Sequence, residues 1–531
     1  MGEVTVPRVL GELIKDRVKR NRNKIFLRFK DQNFTYEEMD RFSNRCAHAF
    51  QSLGIGKGDK VSLMLPNCPE YLYLWFGLAK IGAVEVPVNT SYKGEFLRHI
   101  VDQSDSRIVV IAEEFLDRLK LIENNLNKLE KIVVLGNLRP GKMDDFRIPG
   151  VGWAEFFNSP EDPVDAVVDP WDPISIIYTS GTTGLSKGAL GSHNFWIVCA
   201  EKMLEYRDGK REDIYLTFLP LYHFNAQVLT TITVLIAEAQ MVLLDRFSAS
   251  RFWGEIRSYG ATQFNYLGAV MPILAKQPQR EDDLNNPARI ALGAGCPPAV
   301  MEEVEKRFGI KCLEGFGMTE IGIPIHVRVN DRRRGSCGKP MDIYEVRLFN
   351  DRDEEIPVGE IGEIVFRPRV PFVMMSEYYN MPEKTLEAFR NLWFHTGDLG
   401  RKDEDGYFYF VDRKKDALRR RGENISSFEV ERAINTHPKV LESAAVAVQS
   451  ELAEDEVKIC VVLRPGESLP PEELIQYAND RMPYFAVPRY VEFMESLPKT
   501  PTERIQKYLL KQAGVTPNTW DREKAGFKLE R

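Results

Sequence analysis

The sequence predicts an α/β protein in two parts: a large multi-subdomain N-terminal α/β domain, 1–412, and a small mobile α+β C-terminal domain, 413–531. Three observations carry this reading. The chain has 531 residues, well beyond the ~100–200 of one typical domain. Short β-rich runs alternate with helical patterns through most of its length, the rhythm of βαβ units and an α/β sheet. Near residue 412 the texture changes, where an alternating aromatic strand, 407–411, runs into the charged string Asp412-Arg413-Lys414-Lys415-Asp416.

In the N-terminal part, strand 60–65 precedes helix 71–80, strand 84–88 precedes helix 95–101, and strand 107–111 comes next. After a polar loop around 137–147 come buried strands at 174–178, 214–218, 240–244 and 261–266, separated by helical segments. Beyond 412, Ser426 and Glu429 have the spacing of a helix capping box. They precede helix 430–434, strands 444–448 and 457–463, and helix 471–481. The most apolar stretches, 71–88 and 230–244, are interrupted by Lys80, Glu85, Glu238 and Gln240. Neither supplies the ~20 apolar residues of a transmembrane helix, so both read as core elements.

Composition excludes several classes. Hydrophobic residues make 43% and charged residues 28%, the balance of an ordinary globular protein. The net charge of −7, from 71 basic and 78 acidic residues, gives no bulk field for nucleic acid or an anionic membrane. Any polyanion must be bound locally. Seven scattered cysteines without a CxxC pair fit neither a disulfide framework nor a structural zinc site and point to a reducing cytoplasm. The opening residues lack the layout of a signal peptide or a myristoylation signal, so a cytoplasmic location is expected.

The strongest local signal is Tyr178-Thr179-Ser180-Gly181-Thr182-Thr183-Gly184-Leu185-Ser186-Lys187-Gly188, directly after a buried strand. Its glycines permit close backbone approach, its amides and hydroxyls can donate to phosphate oxygens, and Lys187 adds positive charge. It is not a Walker loop, because Lys187 is followed by glycine rather than serine or threonine. Gly, Ser and Thr richness alone would favour a mobile surface loop.

The order of the motifs further along the chain decides between these readings. Pro220-Leu221-Tyr222-His223, Gly293-Ala294-Gly295-Cys296-Pro297, Gly315-Phe316-Gly317-Met318-Thr319-Glu320 and Trp393-Phe394-His395-Thr396-Gly397-Asp398 occur in sequence, with Asp412-Arg413 after them. Together with the phosphate loop they resemble the motifs of the adenylate-forming (AMP-binding) superfamily, in its acyl-CoA synthetase branch. The stretches 247–253 and 419–426 are similar to the carnitine/crotonobetaine-CoA ligases.

That resemblance implies a role for each position. Thr179, Ser180, Gly181, Thr182, Thr183 and Gly184 would hold the phosphates of ATP, with Lys187 as the charged donor. Gly293, Ala294, Gly295, Gly315, Phe316, Gly317 and Met318 would surround the adenosine, with the Phe316 ring stacked on adenine. Thr319 would donate to the α-phosphate, and Glu320 would ligate Mg²⁺, a hard cation that favours carboxylate oxygens. Asp398 and Arg413 would hold the ribose. His223 would gate an acyl pocket made with Phe224, Asn225 and Tyr266, although a His beside aromatics is as often a core residue. Lys415 would be the domain hinge, and Gly422 would border the passage for coenzyme A.

One departure stands out. The family's terminal motif ends Thr-Gly-Lys, whereas this chain reads Pro501-Thr502-Glu503-Arg504-Ile505-Gln506-Lys507. Arg504 aligns with the catalytic lysine and keeps the positive charge with more donors, and Lys507 is the alternative cation.

The expected activity is therefore an AMP-forming acyl-CoA ligase using ATP, Mg²⁺ and coenzyme A on a small carboxylic acid. No nucleic-acid partner or membrane span is expected, and a homodimer is compatible with the reading. The rivals are an adenylating enzyme that loads a carrier protein, a luciferase-like oxidase, and a noncatalytic nucleotide sensor. Asn225 carries no charge, so a short or medium neutral acyl chain suits the pocket as well as a quaternary ammonium, which would call for aromatic faces or a carboxylate.

Overall fold

A computed structural model describes residues 6–138, 141–179, 186–267, 270–296, 298–413, 418–420, 423–425, 427–449, 455–498, 505 and 507–529. Two large sheets build the N-terminal body. One has eight strands, with Glu377–Tyr378, Lys187–Ser192 and Pro173–Thr179 at one edge. Next come Val84–Pro87, Lys60–Met64, Ser106–Ala112, Lys131–Leu135 and Gly150–Gly152. The expected strands are present, and the pairs from Val84–Pro87 to Gly150–Gly152 are parallel, as βαβ connections require.

The second sheet has nine strands and contains Gly322–His326, Lys311–Met318, Ile290–Gly293, Gln263–Asn265 and Ile214–Thr217 as successive neighbours. Its central strands are mostly buried and apolar, the pattern of a sheet covered on both faces. The helix Pro69–Lys80 is buried all round, and the ammonium of its Lys80 is paired with Asp40 at 2.6 Å. That contact explains how a lysine sits inside an otherwise apolar run.

A third, antiparallel sheet of Tyr344–Phe349, Ile361–Pro368, Phe394–Lys402 and Phe408–Arg413 closes the N-terminal part. Beyond it a smaller domain has its own core, including Leu418, Val430, Ile459, Leu474 and Val491. It contains the hairpin Leu418–Arg420 with Glu423–Ile425, the helices Ser427–Asn435 and Pro471–Asn479, and a sheet that includes Val440–Gln449 and Asp455–Leu463. Tyr92 and Phe96 of the large domain pack against this core. No described helix is long and apolar enough to cross a membrane.

Candidate active site

The phosphate-loop motif joins two antiparallel edge strands, Pro173–Thr179 and Lys187–Ser192, with Thr179 opposite Lys187. Ser180, Gly181, Thr182, Thr183 and Gly184 lie outside the described residues. At the loop's base the functional groups converge. Thr179 Oγ1 donates to Glu320 Oε1 at 3.0 Å, and Tyr378 Oη donates to the same oxygen at 2.9 Å. Lys187 Nζ lies 4.0 Å from the centre of the Tyr378 ring. Burial and the neighbouring Glu320 carboxylate push the Tyr378 phenol well up, so it stays protonated and remains a donor.

This arrangement also tests the fit of a metal ion. The bonds from Thr179 and Tyr378 both fall on Glu320 Oε1, so Oε2 is the oxygen suited to a hard cation. Among the described residues no cluster of three or more His, Cys, Asp or Glu could hold a metal. A magnesium ion here would therefore take most of its ligands from phosphate and water, its usual habit in nucleotide sites.

The adenine-loop motif follows strand Ile290–Gly293, which pairs with Lys311–Met318 so that Gly293 lies opposite Glu314. Gly295 has φ +79°, a left-handed conformation that favours glycine. A side chain at Gly293 would meet the Tyr266 carbonyl at 2.4 Å, so only glycine allows this close approach. Glu314, absent from the sequence-based reading, ties the loop down by accepting from Cys296 N at 2.7 Å. Burial pushes its carboxyl up to about 7, against the opposing bonds from Cys296 and Tyr266.

Strand alternation sorts the remaining positions. Gly315 and Gly317 line a cavity of about 120 Å³ with Gly293, Ala294, Asn225 and Leu267. Phe316 points the other way into a buried cluster, stacked on Phe366 at 6.0 Å and near-parallel to Phe410. Only a small part of its ring is left for adenine, less than the expected stacking platform. Two further residues expected at the acyl pocket lie away from this cavity. Phe224 is buried against Phe195 and Trp196 and is absent from the cavity wall. Tyr266 is fully buried, with Oη 3.4 Å from Glu314, and its neighbour Leu267 faces the cavity instead.

Asn225 lines the cavity. It opens the π-helical segment Asn225–Ile232, a geometry often found at functional sites. Asp398 is buried on Phe394–Lys402 and pairs in register with Arg413 of the next strand. Thr319 and Glu320 occupy the turn between Lys311–Met318 and Gly322–His326. Lys415, Gly422 and Arg504 lie outside the described residues. Lys507 is engaged within the small domain, 2.5 Å from Glu431 Oε1 and 2.8 Å from Ser427 Oγ.

Two small-domain carboxylates reach across to the large domain. Glu423 Oε1 lies 3.2 Å from His223 Nε2. Burial alone would lower the His223 imidazole, but the Glu423 charge and hydrogen bond raise it above its ordinary value. Glu429 Oε1 accepts from Ser186 N at 2.7 Å and from Ser186 Oγ at 2.6 Å, with both residues buried. The capping-box reading gave Glu429 a local partner in Ser426, which lies outside the described residues. Its carboxylate accepts from the phosphate-loop motif.

The phosphate-loop motif, a glycine-lined cavity, and a second domain whose Glu429 accepts from Ser186 of that motif are the parts of a two-domain, nucleotide-dependent enzyme. The chain belongs to the AMP-binding enzyme family, whose profile matches residues 14–379, and the family's C-terminal domain matches 429–504. A crotonobetaine/carnitine–CoA ligase of Salmonella arizonae is 34% identical over 492 residues, covering 90% of this chain and 93% of the relative. The structure of an anthranilate CoA ligase in complex with anthranoyl-AMP superposes with a TM-score of 0.72 at 27% identity, covering 96% of this chain and 98% of that one. A fatty acyl CoA synthetase of Mycobacterium tuberculosis gives 0.68 at 27% identity, covering 95% and 98%.

Proposed function

We propose that this chain, an ATP-dependent and AMP-forming acyl-CoA ligase, activates a small carboxylic acid by two half-reactions divided between two domain arrangements. The observation that carries the reading is the meeting of Thr179, Lys187, Glu320 and Tyr378 at the base of the phosphate-loop motif.

In the first half-reaction a carboxylate oxygen of the substrate attacks the α-phosphorus of ATP, and pyrophosphate leaves with the bonding electrons. Lys187, Thr319 and the loop 179–184 hold the phosphate oxygens in line for attack. Arg504 balances the charge that develops at the α-phosphate. Glu320 is the residue that would hold Mg²⁺, which supplies positive charge against the phosphate oxygens. The segments 293–295 and 315–318 cradle the adenosine, and through Gly293, Ala294, Gly315 and Gly317 they also wall the cavity beside Asn225 and Leu267 that takes the acyl group; Asp398 and Arg413 take the ribose.

In the second half-reaction the small domain turns about Lys415, with the boundary at 412/413, and Gly422 borders the passage for coenzyme A. The thiolate attacks the acyl carbon, AMP departs with the electrons of the broken C–O bond, and the thiol proton passes to water. His223 separates the passage from the acyl pocket. The contact of Glu423, next to Gly422, with His223 supports assigning the described arrangement to this second step.

The test is carboxylate-dependent exchange of pyrophosphate into ATP, followed by thioester formation on adding coenzyme A. Exchange without any thioester would favour loading of a carrier protein. Absence of exchange with every carboxylate would overturn the reading.

A further inference from the structure

The acyl cavity has a fixed polarity, and a buried cation sets it. Arg207 is fully buried, and a guanidinium can only donate. Its Nη2 bonds Asn265 Oδ1 at 3.1 Å, while its other bonds go to Gln263 Oε1 and the Leu229 carbonyl, all neutral acceptors. With its oxygen taken, Asn265 turns Nδ2 toward Thr230 Oγ1 at 3.0 Å and Asn225 Oδ1 at 2.8 Å. Asn225 therefore spends its own oxygen on Asn265, and Nδ2 is the group it offers to the cavity it lines.

His326, also in the cavity wall, has the complementary character. Its Nδ1 faces the Val327 carbonyl, an acceptor, so Nδ1 carries the proton and Nε2 is a lone pair. Nε2 is buried and has no partner among the described residues. Burial holds the imidazole down to about 4, so it is neutral near pH ~7 and cannot donate from Nε2. An unmade bond at a buried acceptor is costly, and a ligand that brings a donor repairs it.

Size and charge narrow the ligand further. The cavity, about 120 Å³, is somewhat smaller than a ~150 Å³ cavity that admits benzene, so it takes an acyl group of roughly four to six heavy atoms. Among the described residues its wall holds no carboxylate, and its one aromatic ring is the His326 imidazole. A quaternary ammonium finds neither a carboxylate nor an aromatic cage in that wall; behind it lie the cation Arg207, partly offset by Asp213, and Glu314, whose carboxyl burial pushes up to about 7.

We propose that the preferred acid is a short, uncharged hydroxy acid whose hydroxyl donates to His326 Nε2, with Asn225 Nδ2 donating to an acyl oxygen. This specificity assignment rests on the acyl-CoA ligase reading above.

The test measures kcat/KM for AMP release with ATP, coenzyme A and each of butyrate, 3-hydroxybutyrate, 4-hydroxybutyrate and 4-trimethylammoniobutyrate. One of the hydroxybutyrates is expected to exceed butyrate by roughly tenfold or more, with the trimethylammonio acid poorest. In His326→Met the preference should collapse, because the hydroxy acid loses more than butyrate does. Should that variant fail to fold, the ranking of the four acids by the wild-type enzyme decides alone, because Asn225 meets an oxygen that butyrate and the hydroxy acids share. Equal losses on both acids, or a wild-type enzyme that favours butyrate or the trimethylammonio acid, would overturn the assignment and leave the ligase reading standing. No AMP release with any acid would overturn both.

Discussion

Replacing Glu429 by alanine removes the acceptor of two buried hydrogen bonds, from Ser186 N at 2.7 Å and Ser186 Oγ at 2.6 Å. A bond to a charged group contributes about 1.5–3 kcal/mol, but two bonds sharing one oxygen do not add fully. Ser186 can also turn to water once the domains part. Taking about 2 kcal/mol for the pair, the described arrangement should lose roughly thirtyfold in population relative to its alternatives. The assay starts from preformed acyl-AMP and follows one turnover of thioester after coenzyme A is added, beside carboxylate-dependent pyrophosphate exchange. The thioester step should slow by roughly thirtyfold. Exchange should hold or rise, because Ser186 is released to the phosphate loop. Equal slowing of both would mean that Glu429 merely supports the fold, and no change in either would refute a latch between the domains.

The terminal motif offers a second test: Arg504→Ala should slow single-turnover acyl-AMP formation, while Lys507→Ala should lower the melting temperature of the small domain with little effect on that step. The reason is that Lys507 already pairs with Glu431 and Ser427, and the reverse pattern would transfer the catalytic role to Lys507. A third concerns Glu85, whose carboxyl is pushed up to about 8 by burial, against hydrogen bonds from Tyr71 and Gln227. The folded state then holds a proton that the unfolded chain releases near pH ~4.3, so this contribution is full below that value and lost as pH rises through about 8. Melting temperature should fall from about pH 6 to about pH 9 in the wild type and fall less in Glu85→Gln; parallel curves would count against it.

Much of the architecture could be read from the chain, because strand runs such as 60–65 and 107–111 and the phosphate-loop motif are local patterns. What escaped were residues whose partners are set by sheet order. Glu314 is an ordinary carboxylate until Ile290–Gly293 lies beside it and Cys296 N comes within 2.7 Å. Asn265 and His326 likewise act through neighbours 40 positions away or through a cavity that exists only once the strands have assembled. Side chains that lie away from where sequence neighbours suggest have the same origin. Tyr266 and Phe224 adjoin pocket residues in sequence, but alternation along a strand and rotation around a helical turn send adjacent side chains to opposite sides. Glu429 has the spacing of a capping residue, yet two donors from another domain compete for its carboxylate.

The central claim is that the carboxylate itself attacks the α-phosphorus of ATP. It is tested most directly with an acid labelled with ¹⁸O in its carboxyl group, turned over once with ATP and coenzyme A, the products being analysed by mass. The predicted result is one labelled oxygen in AMP and none in pyrophosphate, because the bridging oxygen of the acyl-AMP stays with AMP when sulfur displaces it. Label in a phosphate or pyrophosphate product, or ADP formed in place of AMP, would contradict it.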